Sequence, residues 1–347
     1  MNYLESGVNV DLASFLLNNA KRDISLTKES CNRSTGGSIL NANDYCSCVS
    51  LNALRYEDPI LTFSTDGVGS KLVFADKFPS RDSNIVQDLF AMVFNDVICS
   101  GSRPLYFLDY YATNSLSEKI SLLNQDNRFS HILQDLTRLC SEYEVALIGG
   151  ETAEIPMIYS RGKYDLAGFG VGIVERKDLI TPMKVRDGDV IIGITSSGPH
   201  SNGYTLINSI DDDLSYEAIE QCLKPTRIYV KPILDLMQTV SIHGLAHITG
   251  GGLTENLPRV IRDDLCGIID LYNWKMPEVF EEISRVAGLS IREMLKTFNC
   301  GIGMVVIVAE RDCRKTLEVL DRHFKSHRIG FVCGKKNHKI EYWGERL

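Results

Sequence analysis

Apolar positions along the chain recur with two different periods, and the alternation between them predicts the elements. Leu12, Phe15, Leu16 and Ala20 fall at helical spacing, so Asp11 to Ile24 is expected to be a helix ending near Lys21-Arg22, followed by a flexible loop at Ser34-Thr35-Gly36-Gly37-Ser38. Ile85, Val86, Leu89, Phe90, Val93 and Val97 give the core stripe of a second helix, capped by Ser83 and running to about Cys99, with Gly101 just past its end. Cys46 to Leu54 and Ile60 to Ser64 are expected to pair as strands. Leu105 to Leu108, Val145 to Ile148 and Leu166 to Val174 read as further strands, with a helix over Phe129 to Tyr143 between the first two. The charged break Glu175-Arg176-Lys177-Asp178 then separates two halves, an N-terminal domain over 1–176 and a C-terminal domain over 177–347. The second half has strands at Val190 to Thr195, Ala246 to Ile248, Gly303 to Val308 and Ile329 to Val332. Its helices are expected at Ile228 to Val240, Val279 to Val286, Ile291 to Phe298 and Cys313 to Phe324, and Asp211 to Glu220 is expected to be exposed. The fold class is therefore α+β, two domains, each a mixed sheet with helices covering one face.

Candidate chemistry collects where these elements end. The strand Pro59-Ile60-Leu61-Thr62-Phe63 is expected to break at Ser64-Thr65-Asp66-Gly67-Val68-Gly69-Ser70-Lys71. There Gly67 and Gly69 let the backbone approach a ligand, Asp66 offers a hard oxygen and Lys71 a cation for phosphate. The spacing is not that of a P-loop, and Gly168, Gly170 and Gly172 open no helix, so neither standard nucleotide fingerprint is present. Further carboxylates stand at Asp88, Asp96, Asp109 and Glu151, with Asn95 on the helix face of Asp88, and Gly149-Gly150-Glu151-Thr152 is a second glycine-rich segment. Such a set suits ATP with Mg²⁺: Asp66, Gly67, Gly69, Lys71, Asp109, Gly149, Gly150, Glu151 and Thr152 for the nucleotide, and Asp66, Asp88, Asn95, Asp96 and Glu151 for the metal. In the second half Thr249-Gly250-Gly251-Gly252 is expected to cradle a substrate phosphate, with Asn202 nearby. His200 and His247 both lie in such glycine-containing loops, which makes them candidates for proton transfer, His247 favoured as the base.

Composition narrows the partners. The chain has 347 residues, 44% hydrophobic and 24% charged, which supports two ordinary cores. A net charge of −8 argues against binding nucleic acid by bulk charge. The first residues lack a basic and an apolar region, so no signal peptide is expected; the most apolar run (Gly301 to Ala309) is too short to span a bilayer, and ten scattered cysteines without a C-x-x-C pair read as reduced thiols. The expectation is a cytoplasmic protein with a small-molecule substrate and no membrane partner.

The motifs in order resemble the aminoimidazole ribonucleotide synthetase family, the phosphoribosylformylglycinamidine cyclo-ligases of purine biosynthesis. The resemblance rests on Tyr3-x-x-x-Gly7-Val8, Thr65 to Lys71, Asn95-Asp96, Phe107-Leu108-Asp109-Tyr110-Tyr111-Ala112 and Gly149 to Glu154. It continues through Ser196 to Tyr204, Pro225 to Lys231, His247 to Gly252 and Thr297 to Met304. It implies that ATP phosphorylates the formyl oxygen of formylglycinamidine ribonucleotide and that ring closure yields aminoimidazole ribonucleotide, ADP and phosphate. It implies a catalytic role for Lys21, reaching the ATP phosphates, and a homodimer whose first domains pair their sheets into a barrel. The chain departs from the family pattern at Gly36-Gly37-Ser38, where a Gly-Phe-Gly loop is usual, and in a shorter acidic stretch before Lys224-Pro225. Two competing readings are a related ATP-dependent synthetase or kinase of the same superfamily, and a non-catalytic nucleotide-binding protein that kept the fold. The stretches at 107–112 and 196–204 favour the cyclo-ligase over the first.

Overall fold

A computed structural model describes residues 7–40, 46–78, 84–117 and 127–344. Ser83, Tyr3 and the loop residues Asn41 to Asn43 lie outside these. The architecture is α+β, with two sheet-containing domains.

The first domain opens with α1 (Val10–Thr35), longer than its apolar stripe suggested. Ser34 and Thr35 belong to its last turn. Gly36, with φ +93°, ends it, and the Gly36 and Gly37 N–H groups both donate to Asn32 O. Two short strands, β1 (Ile39–Leu40) and β2 (Cys48–Val49), pair with each other. The expected pairing of 46–54 with 60–64 is therefore corrected: a 3₁₀ turn at Leu51–Ala53 breaks the run, and the strand that follows, β3 (Pro59–Gly67), pairs elsewhere. After α2 (Lys71–Lys77) and α3 (Ile85–Cys99), the latter capped by Asn84, come β4 (Arg103–Thr113), α4 (Arg128–Glu142), β5 (Ala146–Glu154) and β6 (Tyr164–Glu175). The sheet order is β3-β6-β4-β5, with only β4 and β5 parallel.

The glycines of β6 explain how α3 is seated. Alternate residues of a strand face one side, and a Cβ at Gly168, Gly170 or Gly172 would collide with Phe107, Val93 or Val97 in turn. Removing three side chains from one face lets α3 lie directly on the sheet, so Val93 and Phe94 pack with Phe90 and Phe107 in a single apolar cluster. The opposite face is covered near Cys31, Leu54, Tyr106 and Ile173 but leaves Phe63 61% and Phe169 40% exposed, their rings stacked at 6.1 Å.

The second domain is a six-stranded sheet built from β7 (Val190–Thr195), β8 (Ile242–His247), β9 (Leu265–Asp270), β10 (Ile302–Val308), β11 (Ser326–Gly334) and β12 (Ile340–Trp343), ordered β12-β9-β11-β7-β10-β8. Helices were expected on one face only; both faces are covered. Successive side chains of β7 point to opposite faces. Ile191 packs among α5 (Tyr204–Ile210), α6 (Tyr216–Leu223), α8 (Gly252–Asn256), α9 (Glu278–Ala287) and α10 (Ile291–Thr297), while Val190, Ile192 and Ile194 meet α7 (Val230–Met237) and α11 (Cys313–Leu320). The continuous apolar runs of β7 and β10 follow from this double burial. Asp211, expected in an exposed stretch, is 4% exposed and paired with Lys77 of the first domain. Among the described residues no helix is long and apolar enough to cross a membrane.

Candidate active site

The second glycine-rich segment lies inside a strand, while the first runs from the end of β3 at Gly67 into a turn at Val68, Gly69 and Ser70. Backbone pairing carries β3 through Asp66 and Gly67, and β4 and β5 through Asp109, Gly149, Gly150, Glu151 and Thr152. Asp66 pairs with Gly168, Gly168 with Asp109, and Asp109 with Gly150, so the four form one transverse row across all four strands. Paired residues share a face, and this row lies on the side that α3 covers. Glu151 pairs with Tyr110 and falls on the opposite face.

Asp109, Gly149, Gly150, Glu151 and Thr152 meet in one cleft, closed by Ala13, Leu17, Ile24 and Lys28 of α1. Gly150 has no room for a side chain, because a Cβ there would collide with Asp109 Oδ1. Burial raises the Asp109 carboxyl to about 7, partly offset by a hydrogen bond from its own backbone N–H. Lys21 is exposed in the middle of α1 rather than at its end, and the cation in the cleft wall is Lys28. Lys28 lies seven residues from Lys21, two helical turns on, and that spacing was the available signal for it.

A second group of side chains gathers where α3 meets the C-terminal domain. His247, at the end of β8, places Nδ1 2.8 Å from Asp96 Oδ1, and its Nε2 is 3.4 Å from Asn95 Nδ2. Asn95 also accepts from Tyr229 N–H at 2.8 Å and donates to Arg227 O at 2.9 Å. The His247 side chain is 2% exposed and that of Asp96 42%. Asp66 faces the same group: burial raises its carboxyl above the usual range, the charge of Asp96 adds to this, and the Gly67 N–H and His247 oppose it.

Asp88 and Lys71 are buried completely and paired at 2.9 Å. Asp88 Oδ1 also accepts from Thr226 N–H at 2.7 Å and Ser201 Oγ at 3.1 Å. His200 is buried beside them, with φ +64°. Its Nε2 accepts from Ser197 N–H at 3.2 Å, which places the ring proton on Nδ1, an atom without a hydrogen-bond partner among the described residues. Burial first, then the positive charges of His247, Lys71 and Arg227, hold the imidazole well below its ordinary pKa and therefore neutral. The structure thus does not bring His200 or Lys71 to an open cleft.

The turn Thr249-Gly250-Gly251-Gly252 wraps around Asn256, whose Nδ2 donates to the carbonyls of Gly250 at 3.1 Å and Gly252 at 2.8 Å. Gly251 and Gly252 have φ +93° and +55°, conformations that favour glycine. A Cβ at Gly250 would lie 3.5 Å from Asn202 Oδ1, so these two substrate candidates are neighbours. Thr249 and His247 share a second cleft with Asp96, Asn256 and Arg259.

For a metal, Asp88 Oδ1 and both ends of the Asn95 amide are engaged within the protein, and Glu151 stands on the other sheet face. Asp66 and Asp96 are the carboxylates left, near enough that the charge of Asp96 raises the Asp66 carboxyl. Among the described residues no cluster of three or more metal-ligating side chains exists. Two carboxylates nonetheless fit Mg²⁺, which retains waters and shares substrate phosphate oxygens.

Comparison with known proteins covers both domains. Residues 44–174 match the family model of the AIR synthase related protein N-terminal domain, and residues 186–342 that of its C-terminal domain. A phosphoribosylformylglycinamidine cyclo-ligase from Nitrosococcus oceani is 43% identical over 343 residues, 96% of this chain and 91% of that protein. Among solved structures, the hydrogenase maturation protein HypE in complex with ATP superposes with a TM-score of 0.64 at 18% identity, covering 90% of this chain and 88% of that one. PurL of T. maritima complexed with FGAR gives a TM-score of 0.56 at 14% identity, covering 92% of this chain and 48% of that one. The last two similarities establish the fold alone.

Proposed function

The chain belongs to the AIR synthase family, and from that membership we propose how its residues divide the work of a cyclo-ligase. The reaction is the ATP-dependent conversion of formylglycinamidine ribonucleotide to aminoimidazole ribonucleotide, ADP and phosphate in purine biosynthesis. The observation that carries this reading is the 43% identity with a cyclo-ligase over 96% of the chain. The phosphoryl group of ATP goes to the formyl oxygen, the amidine-side nitrogen attacks the activated carbon, and phosphate leaves with that oxygen.

ATP is assigned to the cleft between α1 and β5, with Lys28 and the more distant Lys21 as phosphate cations and Asp109 as a carboxyl able to hold a proton near neutral pH. Gly67 and Gly69, on the approach from Asp66, keep the backbone open toward the phosphates. The substrate phosphate is assigned to the Thr249–Gly252 turn, where Asn256 gathers the carbonyls and the N–H groups supply donors; Asn202 and Arg259 flank it. Mg²⁺ would be held by Asp66 and Asp96, where it would neutralise phosphate charge.

The His247–Asp96 pair has the reverse of the exposure usual for a histidine base, with the carboxylate open and the imidazole enclosed. We assign Asp96 the ligand-facing role and His247 the task of holding it. The barrel across a homodimer is supported by Phe63 and Phe169, an apolar pair on the free sheet face. The compartment assigned is the cytoplasm. The test of the activity is direct: purified protein with ATP, Mg²⁺ and formylglycinamidine ribonucleotide is expected to form aminoimidazole ribonucleotide and ADP in equal amounts. ADP formed without the imidazole product would instead indicate a kinase.

A further inference from the structure

Lys71 follows the Asp66-Gly67-Val68-Gly69 stretch, a place where a lysine reads as a phosphate ligand. Its ammonium group has three donors, and all three are engaged: Asp88 Oδ1 at 2.9 Å, His200 O at 2.8 Å and Lys224 O at 2.8 Å. The side chain is fully buried, with the Tyr204 ring 5.5 Å from Nζ. No donor remains for a nucleotide.

The partners come from three places. Asp88 belongs to α3 of the first domain, while His200 and Lys224 belong to two separate segments of the second. Asp88 Oδ1 adds bonds to the same two segments, from Ser201 Oγ and from Thr226 through both N–H and Oγ1, the last at 2.5 Å. Further along α3, Asn95 repeats the arrangement with Arg227 and Tyr229, and Arg227 and Tyr229 in turn bond to Thr195 O at 2.6 Å and 2.9 Å. The 196–203 loop, which carries Asn202, is thus fixed to the helix that carries Asp96.

We propose that Lys71 and Asp88 form a buried clamp between the domains, a pair of positioning residues that hold the 196–203 loop and the 224–226 segment against α3 and do not bind ATP. The proposal rests on the cyclo-ligase reading for its consequence, the alignment of substrate with ATP, and on geometry alone for the clamp. At residue 200 the backbone is left-handed in a residue other than glycine, a conformation that persists only where surroundings enforce it. The Lys71 bond to His200 O, together with the Ser197 N–H bond to the His200 ring, supplies that enforcement.

The native protein gives the first test. Reductive methylation followed by peptide mass spectrometry should leave Lys71 unmodified both with and without MgATP. Modification of Lys71 in free protein, with protection by MgATP, would overturn the clamp. The second test separates turnover from ATP affinity. Lys71→Met should lower kcat roughly tenfold or more, while binding of a non-hydrolysable ATP analogue, followed by calorimetry, stays within about threefold of wild type. Removing both partners spares the uncompensated buried charge, so Lys71→Met/Asp88→Leu should melt higher than either single variant. A roughly tenfold or greater loss of analogue binding in either Lys71 variant, or a double variant less stable than both singles, would contradict the proposal. Failure of wild-type protein to form aminoimidazole ribonucleotide would count against the cyclo-ligase reading and leave the methylation and binding results to judge the clamp.

Discussion

The Nδ1 atom of His247 lies 2.8 Å from Asp96 Oδ1, and it is the histidine, not the carboxylate, that is enclosed. Asn95 stands at the other ring nitrogen, so the imidazole is held on both sides by α3. The carboxylate of Asp96 is thus open to solvent and backed by a buried imidazole.

This arrangement predicts an order of effects. Asp96→Asn should depress kcat by roughly a hundredfold or more, the scale of a lost acid–base or charge-stabilising group. His247→Asn should cost less, roughly tenfold, and combining the two should be no worse than Asp96→Asn alone, since the residues act as a unit. Steady-state kinetics at saturating substrates checks the order. If His247→Asn is the more damaging, the imidazole itself is the base.

Asp109 gives a pH dependence of stability whose sign is fixed. Its carboxyl is raised from 3.8 to about 7 in the folded protein, chiefly by burial. Between those values the folded chain retains a proton that the unfolded chain has released. The contribution is therefore fully present below about 3.8 and is lost as the pH rises through about 7. Asp109→Asn removes the titration. Its stability relative to wild type should grow from near zero at acid pH to a plateau on the order of a few kcal/mol above neutrality. Denaturant titrations at several pH values measure this, and a difference that does not vary with pH would show that burial of Asp109 is not felt.

Much of the fold was legible because the apolar periods are clean. The stripe from Ile85 to Val97 is helical, and the run Val190 to Thr195 is a strand. The glycines were harder. Gly67, Gly149 and Gly150 read as loop residues, since glycine marks turns far more often than strands. Gly149 and Gly150 sit inside β5, and a Cβ at Gly150 would collide with Asp109 Oδ1, a long-range requirement invisible to local pattern, whereas Gly67 is the last residue of β3. Gly168, Gly170 and Gly172 read within a strand, as they are, but the reason for them was not legible, for the helix they make room for, α3, lies far earlier in the chain. The candidate site was legible as a set of residue types. Which acids face outward was not: Asp88 and Asp96 belong to one helix, and only the packing of α3 against Thr226 and His247 separates their roles.

The free face of the first sheet predicts association. Phe63 and Phe169 are exposed and stacked, a pair that a second copy would bury. Phe63→Asp should convert the protein from dimer to monomer in sedimentation velocity and lower the melting temperature. A dimer that persists in this variant would place the subunit contact elsewhere.

Activation of the formyl oxygen by ATP is the step on which the assigned chemistry turns, and isotope tracing tests it most directly. Formylglycinamidine ribonucleotide labelled with ¹⁸O in the formyl group is incubated with the protein, MgATP and unlabelled water. The label is predicted to appear in inorganic phosphate, one atom for each aminoimidazole ribonucleotide formed. Label released into water, with unlabelled phosphate, would contradict that activation.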